Sequence, residues 1–139
     1  MTQLPPQPIS PLDGRYRGAV VSLGDFLSEA GLNKARVHVE VEWLAYLTSH
    51  SLLGSTPLEA GELATLREWA ANFGQAEIDK LGEIEAVTQH DVKAVEYLVR
   101  EQLSRQGLDR IAELTHVACT SEDINNLSYA LTVKQAVAE

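Results

Sequence analysis

Between Leu32 and His50 the apolar residues occupy two sides of one helix: Val37, Val41 and Leu44 form one stripe, and Val39, Trp43 and Leu47 form another. A helix that is apolar on two sides requires packing partners on both. Around this stretch the chain reads as one helix after another, with no strand alternation, internal repeat, low-complexity tract or glycine-rich nucleotide fingerprint. The fold expected is all-α, with helices packed in a bundle-like domain. A chain of 139 residues has room for a single domain with a modest core, burying roughly two-thirds of its surface.

In chain order, residues 1–17 read as an extended N-terminal arm, because the first ten hold three of the five prolines and no apolar period. Pro11, Leu12, Asp13 and Gly14 form a tight turn within it. Arg15, Tyr16 and Arg17 follow, placing two guanidiniums and a phenol side by side. Arg suits bidentate contact with phosphate or carboxylate, and the pattern alone leaves a ligand contact and a surface turn both open.

The remainder, 18–139, reads as helical. A short helix is predicted over Ala19–Ala30, with Val20, Leu23 and Leu27 on one face and Gly31 ending it. Thr56, Pro57 and Glu59 mark a further helix start, with Thr as cap and Glu as its reciprocal partner. Leu63, Leu66, Trp69, Ala70 and Phe73 continue at helical spacing to Gly74, and another helix spans about Ala76 to Ala86. Ile111 and Leu114 are expected to face inward from a connector that starts after Gly107.

Two stretches carry the chemistry. In TQHDVKAVEYLVREQLSRQ, Thr88 and Asp91 have capping-box spacing, with Val92, Val95, Leu98, Val99 and Leu103 behind them as a buried face. This places His90 in a first helical turn, where the helix end opposes an imidazolium and the neighbouring Asp91 favours it. Such a His either caps the helix or meets a ligand oxygen. In THVACTSEDINNLSYALT, Thr120 is the expected cap and Asp123 its partner, so a helix begins near Ser121. Ile124, Leu127 and Leu131 form its apolar stripe. Asn125, Ser128, Tyr129 and Thr132 form an uncharged polar one, which is either solvated or lines a cleft in which each group meets a ligand or another helix. A helix start with free N–H groups favours a phosphate or carboxylate, although Glu122 and Asp123 compete for that role. His116 reads as a satisfied core histidine.

The charge, 11 Lys plus Arg against 20 Asp plus Glu, is −9 with no basic run, which disfavours nucleic acid and anionic membrane as partners. Cys119 is the single cysteine; it forms no intrachain disulfide and reads as a small buried filler. His38 and His50 lack neighbours at ligand spacing, so no metal site is expected. With no signal peptide or long apolar span, the default location is cytoplasmic. The final helix runs from Ser121 to Glu139 without a closing Gly or Pro, which suggests the first part of a longer protein.

The segments SPLDGRYR (10–17), EVEWL (40–44), TQHDVKAVEYLVRE (88–101) and HVACTSEDINNLSYAL (116–131) together resemble the N-terminal domain of adenylosuccinate lyase of the bacterial type. That family lies within the fumarase and aspartase superfamily. The resemblance covers nearly the whole chain, and the last two segments are its most specific marks.

What the resemblance implies is β-elimination of fumarate from adenylosuccinate, giving AMP, and from the succinylated aminoimidazole carboxamide ribotide in purine biosynthesis. The substrate is a small-molecule nucleotide, no cofactor is needed, and the full-length enzyme is a homotetramer. Residue by residue, Arg15 and Tyr16 match the phosphate contact. His90 matches the first active-site histidine, with Asp91 beside it. Thr120 and Ser121 match the pair that binds the succinyl or fumarate carboxylate. Gln89 stands where many relatives carry Asn, so its contact differs in reach. Lys93 and Glu96 also match the motif and read equally as helix-surface residues. The general acid His and the base Ser, on a mobile glycine-rich loop, belong to a central helical bundle that this chain does not contain, so the fragment alone is expected to be inactive. The alternative is a self-contained helical module whose polar stripe meets a protein.

Overall fold

A computed structural model describes residues 7–139, and the described residues form an all-helical domain. The leading part of the expected arm, residues 1–6, lies outside them. From Ile9 the chain turns around Asp13, whose carboxylate accepts the N–H groups of Ile9 and Ser10 at 3.0 and 2.7 Å. Where one helix was expected over 19–30, two short 3₁₀ turns, Arg17–Ala19 and Val21–Leu23, lead into α1, Gly24–Leu27.

The break comes at Ser28, which is extended and caps α2 (Glu29–Ser49) by accepting the Gly31 N–H at 3.1 Å. Gly31 is therefore inside the first turn of α2 and not a terminator. Its lack of a side chain lets α1 fold back on it: a Cβ there would sit 2.7 Å from the Asp25 carbonyl oxygen and 2.8 Å from the Phe26 carbonyl. Backbone cannot yield as a side chain would. Gly31→Ala is expected to cost about 1–3 kcal/mol, read as a lower urea midpoint at unchanged slope.

Helix α2 is the centre of the domain, packed by α1 and by three later helices, α3 (Ala60–Ala71), α5 (Asp91–Arg105) and α7 (Ser121–Ala138). Val37, Val41 and Leu44 are fully buried, and Val39 and Leu47 nearly so, as its double stripe required. The α3 helix covers Ala60–Ala71 and starts three residues later than the Thr56–Pro57 signal implied. Glu59 is its cap, and its N–H donates to the Glu62 carboxylate at 2.9 Å. Two things favour the later start: Leu58 packs on the core from an extended segment, and Glu62 also accepts from Arg110 at 2.6 Å, tying α3 to the short helix that carries Arg110.

Helix α4 (Gln75–Thr88) and α5 (Asp91–Arg105) follow with almost no linker. The expected Thr88–Asp91 box does not form, because Thr88 is the last residue of α4. Gln89 reverses the chain in the left-handed region (φ 54), and His90 caps α5 instead. The buried face of α5 is as read: Val92, Val95, Leu98, Val99 and Leu103 are all enclosed. Gly107, at φ 71, ends it, and α6 (Asp109–Ala112) turns Ile111 inward.

Helix α7 (Ser121–Ala138) has its Thr120–Asp123 capping box as expected, and Ile124 and Leu131 of its apolar stripe pack inward, but burial does not divide the two stripes by polarity. Ser128 and Thr132 are buried against the domain, whereas Leu127 is 57% exposed. Ile124 is buried as expected, and Asn125 is half-buried. Of the two readings of the polar face, contact with another helix holds for Ser128 and Thr132, whereas Tyr129 is exposed. The Ser128 hydroxyl donates to the Ile124 carbonyl at 2.7 Å and Thr132 to Tyr129 at 3.2 Å, so these small side chains satisfy themselves and let α7 lie close to α2.

Candidate functional site

The starts of α5 and α7 are brought to one end of the domain by Arg36 of α2. Its side chain is buried, and its three nitrogens reach three helices. Nε donates to Asn125 of α7 at 3.0 Å, Nη1 to Asn33 of α2 at 2.8 Å, and Nη2 to Asp91 of α5 at 2.7 Å. Asn125 lies one turn beyond Ser121, so the arginine clamps the two helix starts that the sequence marked. Partial burial pushes the Asp91 carboxyl up, but the Val92 N–H and the Arg36 guanidinium together bring it below the ordinary aspartate range.

His90 faces outward at the mouth of this clamp. Its Nδ1 accepts the Lys93 N–H at 3.1 Å, the capping role. An accepting Nδ1 is a neutral ring with its proton on Nε2, so the cap leaves one N–H donor pointing away from the helix. Capping and ligand contact are therefore compatible. Thr120 spends its hydroxyl on the Asp123 carboxylate at 2.9 Å, and its N–H on the same group at 2.7 Å. Those two bonds hold the Asp123 carboxyl below its ordinary range, the backbone contact contributing most. The Ser121 hydroxyl is partly exposed and makes no hydrogen bond among the described residues.

The remaining marked residues are placed differently. The Gln89 amide turns back and donates to the Ala86 carbonyl at 2.9 Å. Arg15 stacks over Tyr16, its guanidinium 4.9 Å from the ring centre, and both are exposed. Among the described residues no hydrogen bond or ion pair joins Arg15 or Tyr16 to the clamp. Lys93 and Glu96 are not both surface residues: Glu96 is buried on α5 and is held by Lys93 at 2.7 Å and Arg100 at 3.3 Å. Cys119 is half-buried, and burial with the nearby Glu40 and Asp123 charges pushes its thiol up.

Three polar residues of consequence, Asn33, Arg36 and Glu40, were not singled out from the sequence for their chemistry. They form a stripe at steps of three and four that lies between the two apolar stripes of α2. Polar residues so flanked have to be buried. Glu40 is fully enclosed and accepts both the backbone N–H of His116 at 3.1 Å and its ring Nδ1 at 2.6 Å. Burial raises the Glu40 carboxyl against those two bonds, which favour its charge.

The sign of that shift gives a pH prediction. A raised carboxyl contributes most to stability below its unfolded value, about 4.3, and this contribution is lost as pH rises through the folded value. The lowered groups Asp91 and Asp123 act oppositely, losing stability as pH falls. Glu40→Gln removes only the first effect. The stability of that variant relative to the parent is expected to rise between pH 4 and pH 7 in urea titrations, and a fall over that range would contradict the assignment.

Fold and clamp together define an all-α domain that presents uncharged donors at two adjacent helix starts. In sequence the chain is 46% identical over 130 residues to the adenylosuccinate lyase of Haemophilus influenzae, covering 92% of this chain and 28% of that protein. It is 44% identical over the same span to the Escherichia coli adenylosuccinate lyase and 40% identical over 133 residues to that of Legionella pneumophila, covering 28% and 29% of those proteins. The chain thus corresponds to a part of the bacterial adenylosuccinate lyases and spans less than a third of the length of these relatives. No family model matches it.

Proposed function

We propose that this chain is the N-terminal part of an adenylosuccinate lyase and supplies substrate contacts to an active site completed by the rest of the enzyme. The reading rests on one observation above others: Arg36 draws the His90 and Ser121 helix starts together, as two groups on one substrate would need. In this reading Ser121 holds the carboxylate of the succinyl group at the helix start that Thr120 caps with Asp123, and the Nε2–H of His90 donates to a substrate oxygen. Asp91 fixes the start of α5 through Arg36, and Arg15 and Tyr16 meet the nucleotide phosphate. Gln89 lines the same edge.

The reaction removes a proton from the carbon beta to the leaving nitrogen, breaks the C–N bond, and delivers a proton to that nitrogen as fumarate departs. Charge accumulates on the succinyl carboxylate as the proton leaves, and donors held there beforehand lower the barrier. The acid and base themselves are supplied by the remainder of the enzyme. Exposed Leu127, Val133 and Val137 on α7 support association with further helices, as in a homotetramer. The same surface favours the second reading, a helical interaction module, but with an apolar face and not the polar one. Among the described residues no helix is long and apolar enough to cross a membrane.

The test is kinetic. In the complete lyase carrying this segment, Arg15→Gln is expected to raise KM for adenylosuccinate about tenfold with little change in kcat, since a phosphate contact far from the bond broken is used equally in ground and transition states. The 139-residue chain alone is expected to release no fumarate. An unchanged KM in the variant, or turnover by the isolated chain, would refute these assignments.

A further inference from the structure

The loop between α6 and α7 is bent in a way its residues do not favour. His116 (φ 63) and Ala118 (φ 59) both adopt the left-handed region, which side chains other than glycine enter only when their surroundings dictate it. What dictates it here is α2. The Glu40 carboxylate grips the backbone and the ring of the same residue, His116, and Trp43, one turn further along α2, donates from Nε1 to the Val117 carbonyl at 2.9 Å. The His116 carbonyl in turn accepts the N–H of Cys119 at 3.2 Å, directly before Thr120, whose own N–H and hydroxyl both donate to the Asp123 carboxylate.

We propose that Glu40 and His116 are positioning residues that set where Thr120 and Ser121 stand, acting through this loop and the Asp123 cap. The structural half stands by itself; the catalytic half rests on the function proposed above. Folding alone gives little reason for a carboxylate at this place. Its neighbour Glu96 is of like charge and already holds Lys93 and Arg100, so His116 is the group that answers Glu40. An apolar residue of similar size would serve the core at least as well. The grip on His116 accounts for the charge.

Two measurements separate the halves. In the 139-residue chain, Glu40→Gln is expected to speed hydrogen exchange at the His116 and Asp123 amides about tenfold while Val95 and Val99 of α5 keep their protection. No change at the first pair, or equal acceleration at both, overturns the structural half. In the complete lyase, Glu40→Gln is expected to lower kcat/KM about tenfold without a lower melting temperature, and to add little to the loss caused by Ser121→Ala. Losses that multiply show that Glu40 does not act through Ser121 and overturn the catalytic half. A silent Ser121→Ala instead overturns the proposed function and leaves the exchange result to stand. If Glu40→Gln fails to fold, His116→Gln enters both measurements with the same expected outcomes.

Discussion

Arg36→Met is expected to lower the stability of the 139-residue chain by about 3 kcal/mol in urea unfolding, a loss set by hydrogen bonds to a buried charged group. The methionine fills the volume of the arginine stem, so the loss reports the guanidinium and not a cavity. Three acceptors are left without their donor: Asn33, Asn125 and Asp91. Asp91 is half exposed and regains water, which is why the figure stays below that for a fully enclosed pair. Asn33 is buried and cannot.

Arg36→Lys is expected to recover little, because an ammonium on a flexible stem cannot hold three divergent partners in one plane. Hydrogen exchange would locate the damage at the first turns of α5 and α7, before the rest of α5 opens. A loss under about 1 kcal/mol would mean that the clamp is incidental and that apolar packing alone sets the two helices side by side.

The contrast between the clamp and the core explains what the sequence could convey. The buried faces of α2 and α5 were legible because they are periodic, and periodicity is a property of neighbours along the chain. Val37, Val41 and Leu44 advertise themselves. Arg36 shows locally only that apolar stripes flank it and bury it; its partners Asp91 and Asn125 lie 55 and 89 residues away, and nothing local names them. Helix starts were legible in chemistry more than in place. The Thr120–Asp123 box formed as written, whereas Thr56 and Thr88 lost theirs to Glu59 and His90 once Leu58 was packed and α4 had run through Thr88.

The mixed burial of the two stripes of α7 has a related cause. Leu127 and Ser128 were sorted by polarity, but the surface of α2 selects by size and by whether a polar group can close on its own helix. Ser128 and Thr132 meet both conditions, and Leu127 is left outside.

Ser121→Ala in the complete lyase is expected to reduce kcat/KM by about 10- to 100-fold, the worth of one hydrogen bond to a charged group. Stability should change by less than about 0.5 kcal/mol, since the serine sits in the first turn after the cap, is partly exposed, and gives its hydroxyl to no other group among the described residues. Thr120→Ala differs on both counts: its hydroxyl belongs to the capping box, so it should lose about 1 kcal/mol of stability as well as activity. The division between kcat and KM then tells when the contact matters. If Ser121 holds the carboxylate equally before and during proton removal, KM rises alone. If it follows the charge that builds as the proton leaves, kcat falls and KM stays, and the latter is expected for a donor fixed at a helix start by a clamp beneath it. An alanine variant with parental kcat/KM would detach this helix start from the chemistry altogether.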